Sequence, residues 1–562
     1  KSIISCADVN NSCANSNASL GIDQACFSIL NLYINPVIFY AIAWEAYTGT
    51  GVPLATLTPK SNTSLIISTK YPLHIYYQTV EPHKNYEYCH TTYTFKEYGS
   101  YGWNISSADI CSNIYVIHEP RNSYFPILTA FMIYILLAVT WTTSKVIIRV
   151  IRGKLSPNNV YDDLNRLQEE NTTHPVIRVT KFSSRIQSVD AFRGYFYIFA
   201  CCSTFSSIIV HGLDFPLFAW IMGMSITISK RAELRLTTSR VKITLCCLRR
   251  SAILILLGLM LNSIDSKSLN DLRFPGILQL LAVSYFVCAI LETIFMKPHS
   301  QDILLQFGRF AIFRDILDSW PQWLIMAGIM TTHTLITFFL HMPNCPTGYF
   351  GPGGKYHYRG KYMNCTAGAA GYIDRLIFGN HTYSKIKDSI YGQILRYDPE
   401  GLMNTISAIF IVYLGVHAGK ILLLYYQGNA RLIRWFLWAI FTGIIAGILC
   451  NFENEGGVIP VSKRMMTLSY VLTCSSFAFL LYAILYFLID YKQFWSGAPF
   501  IYAGINPIFL YVGHVLTKDL FPWAWNIAHP SHASLLAMNL WTTTLWAIIA
   551  YLLYRKDIII TI

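Results

Sequence analysis

Long apolar stretches alternate with short polar segments over most of the chain after residue 123. Each stretch reaches or approaches the roughly 20 residues that an α-helix needs to cross the hydrocarbon core of a bilayer. The pattern predicts a polytopic α-helical membrane protein with about 11 transmembrane helices. The predicted spans are residues 124–143, 190–210, 214–229, 244–264, 273–296, 320–340, 402–419, 432–450, 466–488, 497–514 and 536–554.

Residues 1–123 follow a different pattern and are predicted to form a separate β-rich domain. Segments 64–69 and 73–80 are short, rich in β-branched or aromatic residues, and bounded by Pro, Lys and Asn, which is typical of strands. The apolar run 27–44 is interrupted by two asparagines and a proline. We therefore expect buried strands there rather than a span.

Cysteines and glycosylation sequons indicate the compartment of this first domain. It contains Cys6, Cys13, Cys26, Cys89 and Cys111, with sequons at Asn10, Asn17, Asn62 and Asn104. Both features favour an oxidising lumenal or extracellular space, although an odd number of cysteines leaves one thiol over or paired elsewhere. The chain begins with Lys and shows no charged-then-apolar leader. We expect that a secretory signal has been removed.

Composition excludes an ordinary soluble protein, since 53% of residues are hydrophobic, only 13% are charged and the mean hydropathy is +0.39. The net charge of +13 reflects basic loops rather than a nucleic-acid surface. Basic residues concentrate in loop 144–189 and after the third predicted span, whereas turn 211–213 has none. The positive-inside pattern then predicts a lumenal N-terminal domain, a first span at 124–143, a cytosolic loop 144–189, and a ten-helix domain 190–562 ending in the cytosol.

This topology places the long loop 341–400 in the lumen together with two further sequons, Asn364 and Asn380. Cys345 and Cys365 flank a Gly- and Pro-rich segment in the same loop, where tight turns are expected. A disulfide between these two cysteines would tie the loop at its base.

Ionisable residues within predicted spans are expensive and commonly functional. Asp190 and Arg193 are three residues apart, so they share a helix face and can pair. The favoured interpretation is an anchoring pair at the membrane surface. The alternative is that Arg193, with Arg250 and neighbouring basic residues, forms a cationic mouth for a phosphorylated ligand, because guanidinium groups bind phosphate bidentately.

His211 is a candidate general base at the predicted lumenal end of the second span, since histidine titrates near pH 6.5. A lone histidine there is more often an interfacial hydrogen-bonding residue. Asp214 either orients it or caps the third span. Other lumenal candidates for binding a hydroxyl-rich or cationic acceptor are Glu400, Glu453, Glu455, Asn506 and His514, although loop carboxylates are usually only solvated. The sequence contains no phosphate-binding glycine loop and no metal-ligand motif.

Several motifs resemble the lysosomal heparan-α-glucosaminide N-acetyltransferase family. They run in order across residues 185–562 and include Ser188-Val-Asp-Ala-Phe-Arg-Gly194, Arg273-Phe-Pro-Gly-Ile-Leu-Gln279, Cys345-Pro-Thr-Gly-Tyr-Phe-Gly-Pro-Gly-Gly354, Tyr397-Asp-Pro-Glu-Gly401, Glu453-Asn-Glu-Gly456 and Tyr511-Val-Gly-His514. The resemblance implies a lysosomal membrane enzyme, with a homodimer as one possible assembly. Its reaction moves acetyl from cytosolic acetyl-CoA to the terminal glucosamine of heparan sulfate in the lumen. By the same resemblance, Asp190, Arg193, Arg250 and Arg273 lie near the CoA path, and His211 is the base.

The chain departs from the family pattern near these positions. The segment between His211 and Phe215 is shorter than in the family, Thr204 stands where an Asn is expected, and Leu280 stands where an Arg is expected. An alternative is therefore a catalytically impaired paralogue that binds CoA or sugar without turnover. A transporter is a third hypothesis, disfavoured because no paired, similarly interrupted helices are evident.

Overall fold

The structure is a computed structural model. It describes residues 20–43, 52–79, 87–106, 111–120, 122, 124–155, 186–202, 208–236, 239–264, 266, 268–296, 313–354, 361–383, 395–452, 457–527 and 531–560. Strands occupy the N-terminal part of this range and helices occupy the rest.

Two four-stranded sheets form the N-terminal part. The strands are β1 (Gln24–Asn31), β2 (Val37–Ala43), β3 (Val52–Leu57), β4 (Asn62–Ser68), β5 (Leu73–Thr79), β6 (Glu87–Tyr93), β7 (Ser100–Ile105) and β8 (Tyr115–His118). One sheet has the order β4-β1-β7-β8 and the other β3-β2-β5-β6. β1 and β7 are parallel, and the other pairs are antiparallel. The strands predicted within 27–44, at 64–69 and at 73–80 are confirmed as β1, β2, β4 and β5.

Aromatic side chains from both sheets form the core between them. The Phe39 ring of one sheet lies 5.7 Å from Phe27 and 5.9 Å from Trp103 of the other, measured between centroids. All three side chains are buried, which follows from the alternation of inward and outward residues along a strand. A disulfide joins Cys89 of β6 to Cys111.

The α-helices of more than four residues are numbered along the chain. They are α1 (Phe125–Leu155), α2 (Gln187–Cys202), α3 (Ile208–Leu236), α4 (Arg240–Ser263), α5 (Ile277–Phe295), α6 (Trp320–Phe339), α7 (Gly368–Phe378), α8 (Leu402–Leu424), α9 (Gly428–Leu449), α10 (Leu468–Tyr486), α11 (Phe500–Ile505), α12 (Pro507–Thr517) and α13 (His532–Arg555). Six helices of the described chain are long and apolar enough to cross a membrane, namely α4, α5, α8, α9, α10 with its π-helical extension to Tyr491, and α13. The fold is therefore that of a membrane protein with a β domain. The count of about 11 spans and the domain boundaries stay predictions.

The tenth predicted span, 497–514, is not one continuous helix. It divides into α11 and α12 at Asn506, whose φ of −121° and ψ of 52° are not helical. Pro507 explains the break, because its ring disfavours the α conformation at the preceding residue and it lacks an N–H to donate. Proline at the first position of α12 is well tolerated.

The turn expected at 211–213 is also absent, because α3 already begins at Ile208. His211 and Asp214 therefore lie in its first two turns rather than in a connection between two spans. The expectation that His211 ends the second span was wrong in this respect. Thr204 lies outside the described residues.

Two close helix contacts fix the position of α2. A Cβ atom added at Gly194 would overlap the carbonyl oxygen of Phe500 on α11, and one at Gly504 would overlap the carbonyl oxygen of Asp190. Such backbone contacts between helices require glycine, as is common at membrane helix interfaces. They hold Asp190 against α11.

The β domain contacts the last helix. His532, the first residue of α13, places Nε2 2.8 Å from Glu97 Oε2 and 3.6 Å from Asp23 Oδ1. Glu97 is buried and also accepts the backbone N–H of Asp23. This group joins the sheets to the end of the bundle at which α13 begins.

Candidate active site

The pairing of Asp190 with Arg193 is present on α2. Arg193 Nη1 lies 3.2 Å from Asp190 Oδ1, and Asp190 is buried rather than at the surface. The guanidinium also donates to the hydroxyl of Ser225 on α3. The pair thus connects α2 and α3 and is largely buried within the bundle.

A second group of basic residues surrounds Tyr285 of α5. Arg250 of α4 places its Cζ 4.8 Å from the Tyr285 ring centroid, and its buried Nε has no hydrogen-bond partner. Lys230 of α3 is 2% exposed and its ammonium lies 2.5 Å from Glu233. Lys230 lies five residues after Ser225, about 8 Å along α3. We call Lys230, Arg250 and Tyr285 the basic group.

Arg273 does not join this basic group. It precedes α5, whose first residue lies about 12 Å along the helix axis from Tyr285. Its Nε and Nη2 donate to the two oxygens of Asp398 at 2.8 and 2.5 Å, and Nη2 also donates to Glu400. The predicted substrate residue Glu400 and the predicted CoA residue Arg273 therefore bind each other. We call Arg273, Asp398 and Glu400 the arginine–carboxylate cluster.

The cluster is electrostatically unbalanced, because two carboxylates share one guanidinium. Burial, opposed by Arg273 and reinforced by Asp398, raises the pKa of Glu400 to about 7. Burial also raises the pKa of Asp374 on α7 to about 7, although its Oδ1 accepts the backbone N–H of Leu402 at the start of α8. Hydrogen bonds and charge from the two carboxylates raise the pKa of Arg273 against the effect of its burial. Two carboxyl groups beside α8 thus titrate near neutrality.

The loop around the cluster is held by covalent and polar contacts. A disulfide of S–S length 2.01 Å joins Cys345 to Cys365. Asp398 Oδ2 accepts the backbone N–H of Tyr383, and the Tyr383 ring centroid lies 4.9 Å from Arg273 Cζ. The contacts of Tyr383 and Asp398 bring two separate loop segments to Arg273, just before α5.

Tyr511 of α12, one turn before His514, lies near the cluster. Tyr511 is within electrostatic range of both Glu400 and Arg273, and His514 follows it by three residues. Nδ1 of His514 is buried without a hydrogen-bond partner. His211 and Asp214 lie within the first two turns of α3.

Asn506 binds the backbone of the segment that follows α13. Its Nδ2 donates to the carbonyl of Ile558 at 2.9 Å, its Oδ1 accepts the N–H of Ile560 at 2.8 Å, and it is 1% exposed. The side chain therefore fastens the segment after α13. Glu453 and Glu455 lie outside the described residues.

Among the sequon asparagines, Asn62, Asn364 and Asn380 are exposed, and Asn104 is half-buried with its Oδ1 accepting from Tyr115. Exposure is what glycan attachment requires. Asn10 and Asn17 lie outside the described residues. Glycosylation stays a prediction.

Sequence reasoning missed a buried polar group around α8. The Lys420 ammonium lies 2.9 Å from Glu292 Oε1 and donates to Gln322, while His417 Nε2 lies 3.5 Å from Asp315 Oδ2. All five residues are buried. Glu292 interrupts a predicted span, so its charge within an apolar run was a usable signal.

The described residues define a class, an integral membrane protein with an N-terminal β domain and charged groups between its helices. No family model matches the chain. A mouse protein (Mus musculus) named heparan-alpha-glucosaminide N-acetyltransferase is 35% identical over 515 residues, covering 84% of this chain and 77% of its own length. The human protein (Homo sapiens) of the same name is 35% identical over 518 residues, with the same coverage. The chain belongs to the heparan-alpha-glucosaminide N-acetyltransferase family, as the sequence motifs predicted.

Proposed function

We propose that this protein is a transmembrane N-acetyltransferase of the lysosomal membrane. It transfers acetyl from cytosolic acetyl-CoA to the terminal glucosamine of heparan sulfate in the lumen. The names of the mouse and human relatives supply the reaction class and the glycan. The donor, the sidedness and the residue roles are part of the proposal.

The distance along α3 between His211 and Lys230 of the basic group is the observation that supports the proposal most directly. His211 lies near the first residue of α3 and Lys230 near the last, about 28 Å apart along the helix. This is close to the roughly 30 Å thickness of the hydrocarbon core. A basic group at one end suits the phosphates of CoA, whose pantetheine arm then extends towards the end that carries His211.

The unpartnered Nε of Arg250 fits this donor. A buried guanidinium nitrogen without an acceptor is costly, and a phosphate oxygen of CoA is a suitable acceptor. Lys230 adds a second cation to the basic group. Arg193, which is linked to α3 through Ser225, places a third on the adjoining helix.

The reaction needs a base because an amine in an acidic lumen is largely protonated. His211 takes one proton from the ammonium, the free nitrogen attacks the thioester carbonyl, the C–N bond forms and the C–S bond breaks. The departing thiolate takes a proton from the nitrogen and leaves as CoA thiol. The net release is one proton, which His211 returns to water.

Acetyl transfer in proteoliposomes tests the proposal. Labelled acetyl-CoA is supplied on one side and a glucosamine-ended acceptor on the other. We expect N-acetylated sugar from the unsubstituted chain, no product from His211→Ala, and normal product from His341→Ala, an exposed histidine in a loop. Product formation by His211→Ala at the full rate would remove the histidine from the mechanism.

A second candidate is an impaired relative that binds CoA without turnover. Leu280, which stands where the family pattern expects an arginine, is 2% exposed on α5 and belongs to the apolar core. Its side chain supplies no charge to the site. Thermal stabilisation by CoA in a chain that gives no acetylated product in the same liposomes would favour this candidate.

A further inference from the structure

Three side chains with the chemistry of metal ligands meet where the β domain contacts α13. Within the described part of the chain, Asp23, Glu97 and His532 form the one group of three His, Cys, Asp or Glu residues whose ligand atoms all lie within 4.8 Å of one another. His532 Nε2 lies 2.8 Å from Glu97 Oε2 and 3.6 Å from Asp23 Oδ1. Zinc ligands at bond lengths of 2.0–2.2 Å in a tetrahedral site are about 3.2–3.6 Å apart, so shifts of about 1 Å or less bring all three atoms onto one ion.

The backbone of the β domain holds the two carboxylates side by side. Asp23 lies in the turn before β1 with a φ of 57°, a left-handed conformation in which Asp is enriched. Its carbonyl accepts the N–H of Thr69 and its own N–H donates to Glu97 Oε1, each at 2.9 Å. The bond to Oε1 leaves Oε2 directed at the imidazole. Hydrogen bonds of this kind orient the carboxylates that bind metals.

The start of α13 positions the histidine. Ser531 Oγ accepts the N–H of Ser534, and Ser534 Oγ accepts the N–H of Ser531, which together form a capping box. This arrangement fixes the first helical turn, to which His532 belongs. The side chains of His532 and Asp23 are 21% and 35% exposed, whereas that of Glu97 is 4% exposed. The group is therefore open to water on one side, where a metal ion enters and a fourth ligand binds.

The donor set favours zinc over the other common divalent ions. Imidazole nitrogen is a frequent ligand of Zn²⁺, whereas Ca²⁺ and Mg²⁺ are bound by oxygen. Two carboxylates and one neutral imidazole also match the charge of a single divalent ion. The Lys70 ammonium lies 4.0 Å from the other oxygen of Asp23, Oδ2, and the Lys70 side chain is 59% exposed. It is free to turn towards water when an ion binds to Oδ1.

We propose that Asp23, Glu97 and His532 bind one Zn²⁺ ion, with water as the fourth ligand. The ion fastens the β domain to α13, so its role is structural. The three ligands come from separate parts of the chain, which explains why no metal motif is visible in the sequence. The proposal does not depend on the proposed acetyl transfer, because none of the residues assigned to that reaction takes part.

The zinc content of the detergent-purified full chain tests the proposal. Protein without a histidine tag is stripped with a chelator, dialysed against Zn²⁺ at near-neutral pH, and analysed for bound metal by mass spectrometry. We expect one zinc ion per chain. His532→Ala and Glu97→Gln should each lower the zinc affinity about tenfold or more, since even outer partners of a metal site contribute that much. His118→Ala, an exposed histidine of β8, and Lys70→Gln should not weaken binding.

X-ray absorption at the zinc edge gives a second measurement that needs no variant. We expect one imidazole nitrogen and oxygen ligands at about 2.0–2.2 Å. Loss of folding in a variant therefore does not affect this test. No zinc above the level bound by His532→Ala, ligation by sulfur or by several imidazoles, or full zinc affinity in a folded Glu97→Gln chain would overturn the proposal. The group would then be an ion pair between the β domain and α13.

Discussion

Replacing Arg273 by glutamine tests whether the arginine–carboxylate cluster stabilises the loop end of the bundle. The substitution removes the bidentate bond to Asp398 and the bond to Glu400 while keeping a similar length. Asp398 is fully buried, so the substitution leaves its carboxyl group without a counter-charge. Removing one partner of a buried ion pair costs about 3–5 kcal/mol, and we expect a loss of that size at pH 8.

The loss should shrink at lower pH. The pKa of Glu400 is already about 7 with Arg273 present, and removing the guanidinium raises it further. Glu400 is therefore protonated at pH 5, and one of the two uncompensated charges disappears. Each unit of pKa difference corresponds to about 1.4 kcal/mol, so the loss at pH 5 should be smaller than the loss at pH 8 by about that amount or more.

Thermal unfolding of the detergent-purified chain measures this effect. A thiol-reactive dye reports unfolding because Cys288 and Cys474 are buried. At ~2 °C per kcal/mol for a large chain, Arg273→Gln should lower the apparent Tm by about 6–10 °C at pH 8. Asp398→Asn added to it should recover part of the loss, since the buried charge is then gone. An equal Tm decrease at both pH values, or a double variant whose loss is the sum of the two single losses, would refute the reasoning.

Three further outcomes are expected. Gly504→Ala should prevent correct assembly because its Cβ overlaps a backbone carbonyl on α2, whereas Gly328→Ala, whose Cβ meets nothing within 4 Å, should leave the yield of folded protein unchanged. Equal yields of the two variants would contradict the close contact between α2 and α11. Burial raises the pKa of Asp374 in the folded protein, so its contribution to stability is present below its unfolded pKa of about 4 and is lost as the pH rises through about 7. Asp374→Asn should therefore flatten the rise in Tm that is measured from pH 8 down to pH 5. An unchanged dependence of Tm on pH would exclude this residue as a cause. Replacing both Cys345 and Cys365 by serine opens a loop whose ends are 20 residues apart and should lower the free energy of unfolding by about 3 kcal/mol. The loss is measured as a decrease in Tm, and adding reductant to this variant should not lower its Tm further.

Local sequence patterns were sufficient to predict the features that interactions between nearby residues determine. The strands β4 and β5 follow from short runs of β-branched and aromatic residues, and the pair Asp190–Arg193 follows from helical spacing. The break at Asn506 was also visible, because Pro507 stands inside the apolar run. Hydropathy alone misses that signal, because a single proline hardly changes the mean hydropathy of an apolar run.

Contacts across the bundle were not available from the sequence. Arg273 was placed with the CoA residues because of its motif, yet it binds Asp398, which lies 125 positions further along the chain. Only the folded loops bring the two together. Lys420 and His417 were overlooked for a similar reason, since their partners belong to other helices.

The polar groups of Asn506 bind backbone atoms of Ile558 and Ile560, so the backbone after α13 is fastened to the junction of α11 and α12, although its isoleucine side chains are exposed. Reporter proteins or affinity handles fused directly behind it would pull on the junction of α11 and α12. A truncation before Ile558 would likewise leave the buried Asn506 amide without these partners, and its phenotype would be that of a folding defect.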